Sequence, residues 1–340
     1  MDAPDEYAKS YICQFVGVKA FKAAEKSFNT TPEQYVLDGR AEVYGIENPS
    51  IMNKPFWKHM VYTHNCPWKC RNENKWDEDE YPEAPHVPSP MWCFDRFGRT
   101  RTELPDGRRV YIAGEYDDSY DPDFFIYNDV IVVDPRVTPF GPESVTIYGY
   151  PLDVFPATDS HTSTLYTEPG TEKQYIAIVG GQGYGGEDGP HKSTTTVYRL
   201  DLQNFSIEKS NIQEFEGPGK RLDHHRANLL ETDEVKALFG DKQDGVILKV
   251  TTSTFRLNNE IEEVESALQF GWGNDTEDEL ESVVEELVAD DVDPEPVVDA
   301  DAETTMEDDL ESSESSDSDE EPFVEEVYYL DLLKLRWIHP

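Results

Sequence analysis

Two short segments of the chain repeat an Asp-x-His pattern, which combines residue types that proteins use to bind ligands. Imidazole and carboxylate groups coordinate metals, and an imidazole exchanges protons near neutral pH. The second segment adds one more His and an Arg next to its pair. The candidate ligand-binding residues are Asp159, His161, Asp223, His224, His225 and Arg226.

The repetition leaves two interpretations of these residues open. His161 and His225 lie 64 positions apart, at matching places in two similar segments. A residue that recurs in each unit of a repeat often serves the unit itself, for example by bonding the backbone of the next unit. Clustering within bonding distance, with shifted pKa values, favours an enzyme or ligand site. Distribution over separate units, with bonds to the backbone, favours a structural role.

A second group of metal-ligand residue types lies in the first third of the chain. It consists of His59, His64, Cys66 and Cys70, which form H-x4-H-x-C-x3-C. Zinc sites commonly use Cys pairs two to four residues apart, so the ligand types suit zinc. No second spaced pair accompanies this one in the sequence, and Pro and Trp fill the gap between the cysteines. Buried thiols among packed aromatic residues are therefore the alternative.

Negative charge is concentrated in one segment. The chain has 71 acidic and 29 basic residues, which gives a net charge of −42. Residues 260–321 hold 27 of these acids, and no Lys or Arg stands between Arg256 and Lys334. A segment so rich in like charge cannot bury enough apolar surface to fold. The sequence therefore predicts a largely disordered acidic insert over residues 258–322.

Serines within this insert have acids one to three residues downstream, the pattern that casein kinase 2 and similar kinases favour. Phosphorylation would add negative charge and could attract a basic partner, such as a histone or a transport factor. The predicted phosphorylation sites are Ser313, Ser315, Ser316 and Ser318.

The charge and the hydropathy pattern exclude several classes of partner. A strongly acidic chain repels nucleic acid backbones and anionic membranes, so neither is expected as a direct partner. No apolar run approaches the roughly 18 residues of a membrane helix. The start, MDAPDEYAKSY, lacks the basic and apolar regions of a secretory signal. With only four cysteines, we expect reduced thiols and a cytoplasmic or nuclear location.

From about residue 91 the chain repeats a pattern of short strands. An apolar run ends on glycine in RVYIAGE and QYIAIVGG, and GVILKV is a weaker match that lacks the Gly-Gly after it. A strand with a terminal Asp then follows in NDVIVVDP, TVYRLDL and EVYYLDL. The first strand of the unit recurs as well, in TDSHTSTLY and LDHHRANLL, which share Asp, His and Leu at the same offsets. The unit repeats after 64 residues, the distance from His161 to His225. A period of this size with four strands in each unit is typical of propeller blades.

The order of strand, Gly-Gly, loop and Tyr-x-Leu-Asp strand resembles a kelch repeat and the galactose-oxidase-like β-propellers. This resemblance implies that TDSHTSTLY and LDHHRANLL hold the innermost strands, next to the central channel. The copper ligands of galactose oxidase do not appear in a matching pattern, so no cofactor is predicted. Closed propellers use four or more blades, and three units align here. Either residues before 90 supply divergent strands, or the propeller is incomplete.

The predicted fold is therefore mainly β, a kelch-like propeller after a partly helical N-terminal region. The predicted divisions are residues 1–90, the blades in 91–257, the acidic insert in 258–322 and final propeller strands in 323–340. The expected function is a non-catalytic scaffold that binds a protein partner through blade loops or the acidic insert. The rival hypothesis is an enzyme, or a protein that binds a metal or small ligand with the His/Asp residues at the channel.

Overall fold

Short helices occupy the N-terminal part of the chain, and most of the strands follow from residue 100. The computed structural model describes residues 11–39, 41–66, 69–70, 92–118, 121–183, 195–212, 218, 220–241, 243, 245–257, 260–262 and 323–340. The described N-terminal part contains the α-helices α1 (Tyr11–Val16), α2 (Val18–Ala24), α3 (Pro32–Gly39) and α4 (Pro55–Thr63). The helix α5 (Thr232–Phe239) lies among the later strands. Single 3₁₀ turns cover Glu25–Phe28 and Pro142–Ser144.

Helix α3 begins at Thr31-Pro32-Glu33, a sequence that is typical of a helix start because it offers an N-cap, a proline in the first turn and an early acid. The backbone N–H of Gln34 donates to the Thr31 hydroxyl at 3.2 Å, and the N–H of Thr31 donates to Gln34 Oε1 at 3.0 Å. This reciprocal pair satisfies two of the donors that a helix N-terminus leaves open.

The strands follow the predicted repeat. They are β1 (Ser50–Ile51), β2 (Thr100–Glu103), β3 (Arg109–Asp118), β4 (Asp121–Val133), β5 (Val145–Gly149), β6 (Thr162–Thr167), β7 (Gln174–Val179), β8 (Val197–Asp201), β9 (Ile207–Lys209), β10 (Arg226–Leu229), β11 (Ile247–Leu257), β12 (Glu260–Glu262), β13 (Phe323–Asp331) and β14 (Arg336–Ile338). They divide among three sheets, each built from strands that are consecutive in chain order. Sheet 1 has the order β1-β5-β4-β3-β2, and sheet 2 has the order β6-β7-β8-β9. Sheet 3 has the order β10-β11-β13-β14, with β12 also paired to β11.

The chain divides into two units, and the sheets belong mainly to the first. One unit comprises Met1–Thr252 with Glu326–Pro340, and the other comprises Ser253–Glu325. Within the second unit, the described residues are the end of β11, the strand β12 and the start of β13.

Sheet 2 is buried on both of its faces. Alternate residues of a strand point to opposite faces, so β7 sends Ile176 and Ile178 one way and Ala177 and Val179 the other. The first pair packs against sheet 1, and the second packs against sheet 3. Sheet 1 contributes Val110, Ile112, Val130 and Val132, and sheet 3 contributes Leu248, Val250, Leu330 and Trp337. Burial on both sides explains why β7 reads as one continuous apolar run.

The N-terminal helices cover the face of sheet 1 that points away from sheet 2. Phe56, Trp57 and Met60 of α4 are fully buried there, in one cluster with Tyr111 and Ile131 of the sheet. The helical region is thus part of the same core as the first sheet.

The outer face of sheet 3 ends the series of sheets. Strand pairing aligns Thr100 with Ile112, Thr162 with Val179 and Arg226 with Thr251. Ile112 and Val179 are buried against the next sheet, whereas Thr251 in the matching place is partly exposed. Two residues earlier in the same strands, Val110 of sheet 1 and Ala177 of sheet 2 are buried, whereas the matching Lys249 of sheet 3 is partly exposed.

Helix α5 covers another part of this outer face. Its Val235 is buried together with Ile247 and Ile338 of sheet 3. The ring of Phe239 meets that of Tyr329 edge-on, with ring centroids 5.3 Å apart. Helix α5 and polar side chains thus occupy the outer face of sheet 3, the position where sheets 1 and 2 are each covered by another sheet.

A buried ion pair joins the N-terminal region to sheet 1. The Arg96 guanidinium lies 2.5 Å from Asp129, and both side chains have no exposed surface. The indole N–H of Trp92 donates to the same carboxylate at 2.6 Å, and Trp92 stacks on Trp57 of α4. Arg96 also lies 3.5 Å from the ring centre of Tyr127. Each charge therefore has several partners, which offsets the cost of removing it from water.

The expectation of a mainly β chain with helices before it is confirmed. The sheets of the described part do not close into a ring, since helices cover the outer face of sheet 1 and part of that of sheet 3. Strand β1 lies before residue 90 and joins sheet 1 as its last strand, so the predicted division at 90 cuts through one sheet. Most of the predicted acidic insert, residues 258–322, lies outside the described residues. No helix in the described part is long and apolar enough to span a bilayer.

We expect the replacement Asp129→Ala to lower the free energy of unfolding by about 3–5 kcal/mol, because it leaves the Arg96 charge buried without its partner. Urea unfolding of the full chain measures the change. The matched control is Glu208→Ala, which breaks the more exposed pair with Arg199 and should cost less than about 1 kcal/mol. Equal losses in the two variants would contradict the role given to the buried pair.

Candidate functional site

The first strands of the three repeated units, β2, β6 and β10, lie side by side, and the predicted ligand residues stand at or just before the start of β6 and β10. Strand β6 contacts both β2 and β10. Their first residues, Thr100, Thr162 and Arg226, occupy matching positions in the three sheets. The residues just before them are Arg99, His161 and His225. The repeated histidines therefore sit at the junctions between sheets.

Each histidine forms a hydrogen bond with the hydroxyl of a threonine in the preceding sheet, and that threonine is the first residue of β2 or β6. His161 Nε2 lies 2.9 Å from Thr100 Oγ1, and His225 Nε2 lies 3.0 Å from Thr162 Oγ1. The two contacts are equivalent in the repeat. One joins sheet 2 to sheet 1, and the other joins sheet 3 to sheet 2.

Backbone bonds repeat across the same junctions. The N–H of Ser160 donates to the carbonyl of Gly98 at 2.9 Å, and the N–H of His224 donates to that of Ser160 at 3.0 Å. The N–H of Gly181 donates to the carbonyl of Leu222 at 2.8 Å. Gly180 has a φ of +66°, and a Cβ there would overlap the carbonyl of Leu222 in the next segment. Glycine is required because the next segment of chain passes directly over this turn.

Burial keeps both repeated histidines neutral. Burial, followed by the neighbouring His225, lowers the pKa of His161 to about 3. Burial also lowers the pKa of His225 to about 4, although Asp223 opposes the shift. The Nδ1 atoms of both rings are buried and have no hydrogen-bond partner among the described residues. These imidazoles are uncharged across the physiological range and join the sheets as neutral groups.

The remaining members of the predicted set form a separate polar group. His224 Nε2 lies 3.0 Å from Ser160 Oγ, and its Nδ1 lies 3.3 Å from the Gln182 amide. Burial raises the pKa of Asp159. Burial also disfavours the charge on Asp223, but the bond from His224 and the charge of Arg221 outweigh it, so the pKa of Asp223 is lowered.

An open cleft of about 370 Å³ lies over the three first strands. It brings together three of the six predicted residues, His161, His225 and Arg226, whereas Asp159, Asp223 and His224 do not line it. Sequence reasoning missed its other lining residues, which are Thr100, Arg101, Thr162, Ser163, Ala227 and Asn228. Their signal was present, because most of them follow the repeated histidines directly or match those positions in the first unit.

The predicted zinc ligands have other partners. His59 Nδ1 lies 2.8 Å from the carbonyl of Phe28, and His64 Nδ1 lies 2.9 Å from Asp95. Cys70 is buried and Cys66 is partly exposed, and neither forms a disulfide bond. In the part of the chain that the structure describes, no three His, Cys, Asp or Glu residues are placed to hold a metal ion. The predicted phosphorylation sites Ser313, Ser315, Ser316 and Ser318 lie outside that part.

Comparison with known proteins adds no family to this geometry. No protein-family model matches the sequence, and no curated protein matches it.

We expect the two histidines to make stability depend on pH between about 6.5 and 4. Their folded pKa values lie below the roughly 6.5 of an unfolded histidine, so the unfolded chain binds protons first as the pH falls. This stability is complete above about pH 6.5 and is lost as the pH falls toward about 4 for His225 and about 3 for His161, by up to about 1.4 kcal/mol per pH unit for each histidine.

Urea unfolding from pH 8 to 4 measures this dependence in the wild type and in the double variant His161→Gln/His225→Gln. The variant should show a shallower fall, because glutamine can bond the same hydroxyl without titrating. His339→Gln, which removes an exposed histidine near the end of the sequence, should follow the wild-type curve. Parallel curves for the double variant and the wild type would show that the two histidines are not buried in the neutral form.

Proposed function

We propose that this protein is a non-catalytic scaffold that binds a basic protein segment. In this proposal the three sheets are consecutive blades of an open, kelch-like propeller, and the acidic segment is its electrostatic arm. The proposal covers a protein partner and no reaction.

The observation that carries the proposal is the separation of charge along the chain. Residues 260–321 hold 27 of the 71 acids and contain no Lys or Arg. The rest has 44 acids against 29 bases, a far smaller imbalance for its length. A dense negative segment attached to a packed set of sheets attracts basic partners over several ångströms and accelerates their association.

The use of the repeated histidines within the fold supports a role without catalysis. His161 and His225 each bond a threonine of the preceding sheet and stay neutral. A general acid or base works best with a pKa near the working pH, and both values lie well below it. The residues with the strongest sequence signal for chemistry thus have a sufficient structural role.

Core histones are a defined basic probe for this proposal. Fluorescence anisotropy at 0.15 M salt compares the wild type with a variant in which Glu314, Asp317, Asp319, Glu320 and Glu321 become Gln or Asn. We expect about tenfold weaker binding in that variant, because five charges that attract the probe are lost. The matched control neutralises five exposed acids elsewhere, which are Glu25, Asp153, Glu172, Glu208 and Asp241. Equal weakening in both variants, or no binding by the wild type, would overturn the proposal.

A second candidate function is the binding of a small anion in the open cleft. The observation that favours it is the pair of exposed arginines, Arg101 and Arg226, beside the hydroxyls of Thr162 and Ser163. Guanidinium groups and hydroxyls together suit a carboxylate or phosphate.

Thermal unfolding with inorganic phosphate or citrate tests the anion site. A rise in Tm that disappears in Arg226→Gln, but not in the exposed Arg136→Gln, would support this candidate over the scaffold. The same Tm with and without the anions would exclude it.

A further inference from the structure

Three exposed apolar side chains line one groove next to α3 and β1. Leu37 is 71% exposed, Ile46 is 89% exposed and Ile51 is 70% exposed. They are the three most exposed large apolar residues in the described part of the chain. The groove has a volume of about 950 Å³. Single exposed apolar residues are ordinary on a protein surface, but three in one concave site indicate a binding surface.

The groove is held in shape by backbone bonds. The N–H groups of Ile46 and Glu47 both donate to Ser50 Oγ, at 2.9 and 2.8 Å. The N–H of Gly45 donates to the carbonyl of Tyr150 at 3.1 Å, and that of Met52 donates to the carbonyl of Ile147 at 2.8 Å. The loop that carries Ile46 is therefore fixed to sheet 1 on both sides of that residue.

A side chain from the same loop also reaches sheet 2. Asn48 Nδ2 donates to the carbonyl of Ile207 at 2.8 Å, and Asn48 Oδ1 accepts from the Ile207 N–H at 2.9 Å. The loop thus bridges two sheets, and the exposure of Ile46 is not that of a fraying end. A surface that is already ordered loses little entropy when a partner binds.

The charges around the groove restrict its occupant. Glu42 and Glu47 line it as exposed carboxylates, whereas Lys54, the one cation among its described lining residues, is partly buried. A second copy of the chain would bring the same carboxylates and a further charge of −42. An anionic membrane surface would be repelled in the same way. Basic groups beside an apolar surface complement this site.

We propose that the groove formed by Leu37, Ile46 and Ile51 binds an amphipathic helix of a partner protein, with Lys or Arg beside its apolar face. Such helices fill concave apolar sites with residues at i, i+3 or i+4 and i+7. The inference extends the proposed function, because it gives the basic partner a second contact and a recognition chemistry. The charge of the acidic arm attracts a partner, and the groove selects it.

A displayed library of random 16-residue peptides is the probe for this groove. Peptides are selected on the full-length wild type and counter-selected on the double variant Ile46→Asp/Ile51→Asp. The matched control is Val18→Asp/Leu152→Asp, which changes two other exposed apolar residues, each 47% exposed. Urea unfolding first establishes that both variants fold.

We expect the selected peptides to share the amphipathic, basic pattern. Anisotropy should then show at least about tenfold weaker binding to the groove variant than to the wild type, and no change with the control variant. Neutral or acidic peptides, equal binding to both variants, or no enrichment would overturn the inference.

Two further measurements test the other occupants. Dimerisation of the wild type in sedimentation velocity, lost in the groove variant, would assign the surface to a second copy and overturn the inference. Binding to phosphatidylserine vesicles, lost in the same variant, would assign it to a membrane. If peptides fail while histones still bind through the acidic arm, the groove inference alone fails. If histones do not bind while peptides bind the groove, the proposed role of the acidic arm is wrong and the groove inference stands.

Discussion

The structure depends on the burial of both faces of sheet 2. Strand β7 places apolar residues on alternate sides, so neither face can be left in water without a large free-energy cost. Sheet 2 therefore requires a neighbour on each side. Sheets 1 and 3 meet this requirement, and each then needs protection for its own outer face. The N-terminal helices protect sheet 1, while α5 and partly exposed polar residues end the series at sheet 3.

The repeat of strands could be predicted from the sequence because strand periodicity is local. The apolar runs and the strands with a terminal Asp all lie in the sheets, in the order that the pattern predicts. The absence of Gly-Gly after GVILKV was visible but unexplained. The structure supplies the reason: Gly180 lies directly against Leu222 of the next unit, whereas the matching Thr252 lies within β11 of sheet 3, the last of the three sheets in the described part.

The ends of the series could not be predicted, because they depend on contacts between distant parts of the chain. The helix start at Thr31 was readable, but nothing local shows that α4 packs on sheet 1 or that Asp129 binds Arg96. The cleft was half predicted. His161 and His225 were identified by repetition, whereas Thr100 and Thr162 resemble many other surface residues until the sheets are placed side by side.

The acidic segment interrupts sheet 3 between two strands that lie side by side. Strands β11 and β13 are neighbours in the sheet, yet residues 263–322 separate the end of β12 from the start of β13. The chain entropy lost in closing so long a loop raises the free energy by about 2.4 kcal/mol more than closing a four-residue turn does. During synthesis, sheets 1 and 2 can therefore assemble well before the strands that complete sheet 3 emerge. Those strands lie in the last 18 residues and supply Leu330 and Trp337 to the face of sheet 2. A chain that stops short of them keeps most of its sequence but leaves an apolar sheet face exposed to association with other molecules.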